Sequence, residues 1–136
     1  MQLDPSAFVA DPELVQALWL QSTPVDCSDD RLLFRQGEAA NGLYVVGGGE
    51  ATLTMDSLDG DTILSIQTTA GSLLGLPGLV GGQPYSLTAV ARAGAKIGYI
   101  GRDEFTAFMQ GNPTQAFKIL QVLAAEVSAA RRAISI

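Results

Sequence analysis

The feature that most constrains the fold is a series of short β-type segments between residues 31 and 102, separated by turns that contain glycine. Residues 43–46 are β-branched, aromatic or apolar. In residues 51–55 small or apolar side chains alternate with threonine, which is typical of a strand with one buried face. Asp59 and Gly60 predict a hairpin turn. Short strands at roughly regular spacing predict a β-sandwich or a jelly-roll barrel, the double-stranded β-helix.

Helices are predicted on both sides of this β region. Asp11 and Pro12 have the residue types of an N-cap and a first helical position, and the apolar pattern after them predicts a short amphipathic helix. Residues 103–109 predict a helical turn or two, and residues 112–134 predict a long helix whose start is marked by an Asn-Pro pair. The predicted fold class is therefore mainly β with flanking helices, and the longest helix is C-terminal.

The length and composition fit one domain. A chain of 136 residues can bury roughly two thirds of the surface that its unfolded form exposes. Hydrophobic residues make up 47% of the chain and charged residues 16%, so core residues are abundant. We expect a single domain over residues 1–136, with the first helix and the barrel at about 11–111 and the long helix at about 112–134.

The long helix carries a repeating apolar pattern. Alternating steps of four and three residues join Ala116, Leu120, Leu123, Val127, Ala130 and Ile134. This heptad seam fits either a helix packed on its own barrel or a parallel dimer helix, and the spacing alone does not separate the two. Phe117 and Ile119 lie off the seam, so the helix can contact the barrel and a partner at once. We predict a homodimer through Leu120, Leu123, Val127, Ala130 and Ile134.

The residue types present exclude several chemistries. The chain has no histidine, which removes imidazole metal ligands and any Ser-His or Cys-His pair. Its single cysteine, Cys27, can form neither an intramolecular disulfide nor an iron–sulfur site. Asp56, Asp59 and Asp61 do not follow the EF-hand pattern and predict a solvated hairpin tip. No two acids are placed as a general acid and base, so we expect no metal and no enzymatic activity.

Charge and hydropathy restrict the partners. The net charge is −6 and the eight Lys and Arg residues are dispersed, so direct nucleic-acid binding by this chain is not expected. No apolar run approaches the roughly 20 residues needed to cross a bilayer. The N-terminus lacks the basic residues of a signal peptide. We expect a soluble, cytoplasmic protein without membrane contact.

Several motifs carry a resemblance to a known family. They are FRQGE at 34–38, GLYVV at 42–46, GEA at 49–51, and GRDEF at 101–105 with Asn-Pro at 112–113. Their order and spacing resemble the cyclic-nucleotide-binding domain of the catabolite-activator family of bacterial regulators. The resemblance covers roughly residues 11–132. It implies a jelly-roll sensor used in transcription regulation, in which a ligand alters packing at the long helix.

Residues 71–90 resemble the phosphate-binding cassette of that family. Gly75 matches the family's glycine, and Ser86 and Thr88 match polar positions of the returning strand. The Glu that binds the ribose hydroxyl aligns with Leu76, and the Arg that pairs with the cyclic phosphate aligns with Tyr85. The resemblance therefore implies a ligand site at Gly75, Leu76, Tyr85, Ser86 and Thr88 from which both charged side chains are missing.

The two replacements predict a degenerate cassette. Arg offers a phosphate a charged bidentate fork, whereas Tyr85 offers one neutral hydroxyl. Losing two charge-assisted hydrogen bonds weakens binding by roughly two to four orders of magnitude. We expect no cofactor and no tight binding of cyclic AMP or cyclic GMP. Backbone N–H groups at residues 75–79, together with Ser86 and Thr88, leave weak or altered binding open.

Two alternatives for the pocket at the cassette then remain open. Its apolar side chains, among them Leu73, Leu76 and Leu79, can fill the mouth of the barrel and close the pocket. Alternatively, a pocket with Tyr85 at its rim can take an apolar or aromatic ligand. If only the two charges are missing, Leu76→Glu combined with Tyr85→Arg should create cyclic-nucleotide binding.

Two functions of different classes follow from these alternatives. The first is a non-catalytic regulatory sensor and dimerisation module with an unidentified small ligand. The second is a structural interaction domain with a closed pocket, whose task is to present the C-terminal helix. No helix-turn-helix follows the long helix in this sequence, and we expect the chain to be a fragment of a longer regulator.

Overall fold

A computed structural model describes residues 5–134, with side chains described for residues 5–127. A 3₁₀ turn at Pro5–Phe8 leads into helix α1 (Pro12–Gln21). The first five strands are β1 (Thr23–Val25), β2 (Arg31–Phe34), β3 (Gly42–Gly48), β4 (Ala51–Asp56) and β5 (Thr62–Thr68). After them come β6 (Leu73–Leu74), helix α2 (Leu76–Gly81), β7 (Thr88–Ala91) and β8 (Lys96–Gly101). Helices α3 (Arg102–Gly111) and α4 (Pro113–Ile134) end the described part of the chain.

The strands form two four-stranded antiparallel sheets. Their orders are β1-β8-β3-β6 and β2-β7-β4-β5, so neighbours within a sheet are mostly distant in sequence. In β5 the buried side chains are Leu64, Ile66 and Thr68, and the residues between them are exposed. This period-two pattern turns one face of the sheet towards the interior. The mainly β, jelly-roll class with flanking helices is confirmed.

Two hydrophobic clusters stabilise the domain, one between the sheets and one under the helices. The cluster between the sheets includes Phe34, Val46, Leu53, Leu64, Ile66, Leu74, Tyr85 and Ile97. The cluster under the helices includes Leu14, Leu18, Leu43, Val45, Leu73, Leu76, Leu79, Ile100, Phe105, Phe108, Ile119 and Val122. Strand β3 contributes alternate residues to both clusters, and both of its faces are therefore covered.

The predicted start of α1 is confirmed. Asp11 Oδ2 accepts a hydrogen bond from the Leu14 backbone N at 3.1 Å, and Pro12 occupies the first helical position. The carboxylates of Asp11 and Glu13 also accept from Lys118 Nζ, at 2.9 and 3.2 Å. The lysine ammonium holds the pKa of Asp11 below its usual value. These contacts connect the start of α1 to the first turns of α4.

Some local expectations were incomplete. Strand β1, which contains Pro24, was not predicted, because proline and the acidic residues after it are typical breakers. Among the described strands it pairs only with β8, at a sheet edge where proline is tolerated. The side chain of Asn112 donates to the Phe108 carbonyl at 2.9 Å at the end of α3, and the Asn112 carbonyl accepts from the Ala116 backbone N at 2.9 Å, the first hydrogen bond of α4. No helix within residues 5–134 is long and apolar enough to cross a membrane.

Candidate functional site

The cassette is positioned by Gly75, which joins β6 to α2. Its φ of +91° lies in the left-handed region that favours glycine. A Cβ at this position would lie 2.7 Å from Cε1 of Tyr85, well inside van der Waals contact. Glycine is therefore required here both by the backbone conformation and by the approach of the tyrosine ring.

A cavity of about 230 Å³ lies beside the cassette, between the sheet β2-β7-β4-β5, the N-terminal 3₁₀ turn and α4. It is lined by Phe8, Phe34, Leu53, Met55, Leu64, Gly75, Pro77, Gly78, Tyr85, Ser86, Leu87, Glu126 and Val127. Only Tyr85, Ser86 and Glu126 bring polar side-chain groups, and no Lys or Arg within residues 5–127 lines the cavity. The cavity is therefore apolar, with one acidic group in its wall.

Tyr85 forms part of the wall and not the rim, in contrast to the expectation from sequence. Its hydroxyl donates to the Gly42 carbonyl at 2.7 Å, and the Gly42 N–H donates back to the hydroxyl oxygen at 3.2 Å. Its ring stacks on Phe34, with centroids 3.9 Å apart and planes inclined by 17°. Burial raises the pKa of Tyr85 above its ordinary value. The hydroxyl is thus already bonded to the backbone at the start of β3.

The side chain of Leu76 does not line the cavity. It is fully buried in the cluster under the helices, as are Leu73 and Leu79. Leu74 instead belongs to the cluster between the sheets. The expectation that the apolar cassette residues fill the barrel mouth is therefore wrong for Leu73, Leu76 and Leu79. Helix α2 begins at Leu76, and its apolar face packs where helices α1, α3 and α4 cover the sheet.

The two polar cassette positions differ. Ser86 is exposed and lines the cavity. Thr88 does not line it, and its Oγ1 accepts a hydrogen bond from the Gln36 backbone N at 2.9 Å. Of the five predicted ligand residues, Gly75, Tyr85 and Ser86 therefore meet at the cavity, while Leu76 and Thr88 have structural contacts elsewhere.

Glu126 is the residue of the site that the sequence analysis missed. It lies on α4, only 8% exposed, with both carboxylate oxygens buried and without a hydrogen-bond donor among the described residues. Burial raises its pKa to about 8. Glu126 follows Ile119 by seven residues and Val122 by four, and both of these are buried. Residues at this spacing share one face of a helix, so the pattern would have placed Glu126 on the inner face of α4.

Helix α4 carries several exposed apolar side chains in the described part of the chain. Phe117 and Leu120 are 62% and 56% exposed, and Val127 is also exposed. Leu123 is half-buried beside the cluster under the helices. The side chains of the two remaining seam residues, Ala130 and Ile134, lie outside the described residues. The two-sided character expected of this helix is confirmed as far as Val127.

Other groups offer no further chemistry at the cassette. Arg102 donates from Nη1 to the Leu79 carbonyl at 3.2 Å and from Nη2 to the Ala40 carbonyl, so its guanidinium connects α3 to the end of α2. Among the described residues, no three Cys, Asp or Glu side chains lie close enough together to hold a metal ion.

The fold is similar to those of several solved regulators. The catabolite activator protein of Thermus thermophilus superposes with a TM-score of 0.79 at 22% identity, covering 96% of this chain and 62% of that protein. The N-terminal domain of a transcriptional regulator from Streptomyces coelicolor gives 0.68 at 23% identity, covering 97% and 92%. The c-di-GMP responsive global regulator CLP of Xanthomonas campestris gives 0.72 at 19% identity, covering 93% and 66%.

These likenesses establish the fold. The chain spans less than two thirds of the Thermus protein. A search of curated protein sequences finds no significant match. The family model described as "Cyclic nucleotide-binding domain", however, matches residues 24–112, more than half of the chain and all of both sheets except the first residue of β1. The chain therefore belongs to the cyclic nucleotide-binding domain family.

Proposed function

We propose that this domain is a non-catalytic regulatory sensor whose cavity takes a small, largely apolar ligand instead of a cyclic nucleotide. The observation that carries the proposal is the cavity itself, which is apolar and has in its wall Tyr85, the residue that the sequence resemblance aligns with the family's phosphate-binding Arg. The similar folds of a catabolite activator protein and of a transcriptional regulator support a regulatory role. The open volume of about 230 Å³ argues against a closed, purely structural domain.

A cyclic nucleotide fits this cavity poorly in both charge and size. The phosphate carries a negative charge and needs charged donors when it leaves water. The Tyr85 hydroxyl is bonded to Gly42, and the acidic side chain of Glu126 lies in the wall. A cavity of about 150 Å³ holds benzene, so about 230 Å³ encloses roughly nine non-hydrogen atoms, and more than half of a cyclic purine nucleotide would lie outside it.

Titration calorimetry with cyclic AMP and cyclic GMP tests the choice of ligand. We expect no saturable heat at concentrations below about 100 μM, because two charge-assisted hydrogen bonds are missing. Circular dichroism on the same samples confirms that the protein is folded. Saturable binding of either nucleotide at low micromolar concentration would refute the proposed ligand class.

The domain also acts as a homodimer through α4 in this proposal. The apolar side chains of Phe117, Leu120 and Val127 are each more than half exposed in the described part of the chain. A second copy of the same helix would cover them, since the heptad spacing of the seam suits a parallel helix pair. Val127 lines the cavity as well, so a ligand would contact the same helix that holds the partner.

Sedimentation at micromolar concentration tests this dimer. We expect Leu120→Glu to weaken the dimer roughly a hundredfold or more, because each copy loses about 1.5 kcal/mol of apolar burial and gains a charge. The control is Gln121→Glu, which adds the same charge to the next exposed residue of α4 and should leave the dimer intact. A monomeric wild-type protein, or a dimer unaffected by Leu120→Glu, would contradict the proposal.

We place the domain in the cytoplasm and expect it to transmit its signal through other proteins or domains. Its net charge of −6 opposes direct contact with nucleic acid. The described cavity offers no arrangement of an acid and a base that could perform catalysis, since Glu126 is the only acid that lines it.

A further inference from the structure

The buried carboxyl group of Glu126 has no evident structural task. Its residue is 8% exposed, and no described donor reaches either oxygen. Buried charged groups are normally paired, because an unpaired one loses its hydration without compensation. Its residue lines the cavity beside Val127, so a ligand in the cavity lies next to this carboxyl and is positioned to supply the missing partner. An unpaired acid in the cavity wall therefore indicates that the ligand carries a polar group that pairs with it.

The rest of the wall defines the body of that ligand. Phe8, Phe34, Leu53, Met55 and Leu64 line the cavity and offer apolar contacts. Within residues 5–127 no basic side chain lines it. The volume of about 230 Å³ corresponds to roughly nine non-hydrogen atoms. Such a wall suits a compact apolar body with one polar end.

The residues of the cavity wall also indicate the charge of the ligand's polar end. An anion would find no basic side chain in the described wall, in a protein whose net charge is −6. A cation would form a charge-assisted hydrogen bond with the Glu126 carboxylate, whose two oxygens are buried. We propose that the cavity binds a small primary amine, whose apolar body packs against the apolar wall of the cavity and whose ammonium group pairs with Glu126. This inference rests on the proposed sensing role of the cavity and names its ligand class.

Binding of such a ligand is coupled to a proton. Since the pKa of Glu126 is raised to about 8, the carboxyl of the free protein is mostly protonated at pH 7. An ammonium ion that enters displaces this proton to solvent, and the carboxylate that remains pairs with the ammonium. The other titratable side chain among the described wall residues is Tyr85, whose hydroxyl is bonded to Gly42. Affinity for an amine should therefore rise with pH up to about 8.

Three probes of nearly equal size and different charge test the inference. They are 2-phenylethylamine, 2-phenylethanol and phenylacetate, titrated calorimetrically into the full chain at pH 8. We expect the amine to bind about tenfold or more tightly than the alcohol, and phenylacetate to bind most weakly. Lowering the pH to 6.5 should weaken amine binding about tenfold, because the proton must then be displaced from a mostly protonated carboxyl.

Two variants assign the preference to one side chain. In Glu126→Gln the ratio of amine to alcohol affinity should fall to about one. In Glu50→Gln, which changes an exposed acid in the turn after β3, the ratio should stay at its wild-type value. Equal binding of alcohol and amine by the wild type, or an amine preference that persists in Glu126→Gln, would overturn the amine proposal and leave an apolar sensor.

The remaining outcomes also separate the two proposals. If none of the three probes binds, the amine inference is refuted. Displacement of the amine by micromolar cyclic AMP would instead refute the proposed ligand class.

Discussion

Replacing Glu126 by glutamine should raise the free energy of unfolding by about 3 kcal/mol at pH 7 and about 5 kcal/mol at pH 9. Burial without a partner raises the pKa of this carboxyl from 4.5 to about 8. Each unit of difference between the folded and unfolded pKa corresponds to about 1.4 kcal/mol. Glutamine keeps the shape of the side chain and removes the group that must ionise.

The direction of the pH dependence follows from proton binding. Because the folded pKa lies above the unfolded one, the folded protein binds the proton more tightly. The wild type should therefore lose about 1.4 kcal/mol of stability per pH unit between about 4.5 and 8, and should level off outside that range. In Glu126→Gln this contribution should vanish, so that the two proteins are nearly equally stable at pH 4.

Urea unfolding at pH 4, 7 and 9 measures these differences. The control is Glu50→Gln, which removes an exposed carboxyl and should change stability by less than about 0.5 kcal/mol. If the Glu126→Gln variant is no more stable than the wild type at pH 9, the Glu126 carboxyl of the wild type has a hydrogen-bond partner or is in contact with water. Added 2-phenylethylamine should narrow the gap in stability, since it binds the wild type more tightly than Glu126→Gln.

Leu76→Glu should unfold the domain instead of restoring a nucleotide site. The leucine side chain is fully buried under the helices. Removing such a side chain costs about 2–5 kcal/mol, and an unpaired carboxylate in its place adds several more. The sum is comparable with the whole stability of a small domain, about 5–15 kcal/mol. Combining the change with Tyr85→Arg, which also replaces a buried residue, should not create cyclic-nucleotide binding as the sequence suggested.

Thermal unfolding followed by circular dichroism checks this expectation. The matched control is Val80→Glu, which introduces the same side chain on the same short helix at a position that is 44% exposed. We expect that variant to melt within a few degrees of the wild type. A folded Leu76→Glu protein that binds cyclic AMP would mean that α2 can turn its first residue towards the cavity.

Local features of the fold could be predicted because they depend on neighbours in the sequence. The Asp11 cap requires only the backbone N–H of Leu14, three residues along the chain. The hairpin between β4 and β5 requires only the turn residues between them, and the Ser57 backbone N does bond to the Asp61 carbonyl at 2.8 Å. Period-two alternation likewise needs no knowledge of the opposite sheet.

The site was harder to predict because its geometry depends on distant contacts. The direction of the Leu76 side chain is set by the packing of α2 against helices that lie elsewhere in the chain. The Tyr85 hydroxyl is bonded to Gly42, which is 43 residues away. Glu126 meets Phe8 and Phe34 at the cavity only once α4 has packed on the barrel. A family resemblance aligns backbone positions, but it does not give the directions of replaced side chains.

Strand β3 has a consequence for how the domain loses its structure. Leu43 and Val45 belong to the cluster under the helices, whereas Tyr44 and Val46 contact the cluster between the sheets. Neither cluster can come apart without releasing one face of this shared strand. The two halves of the interior should therefore melt in a single cooperative transition, and a substitution in α4 should be felt as far away as β5.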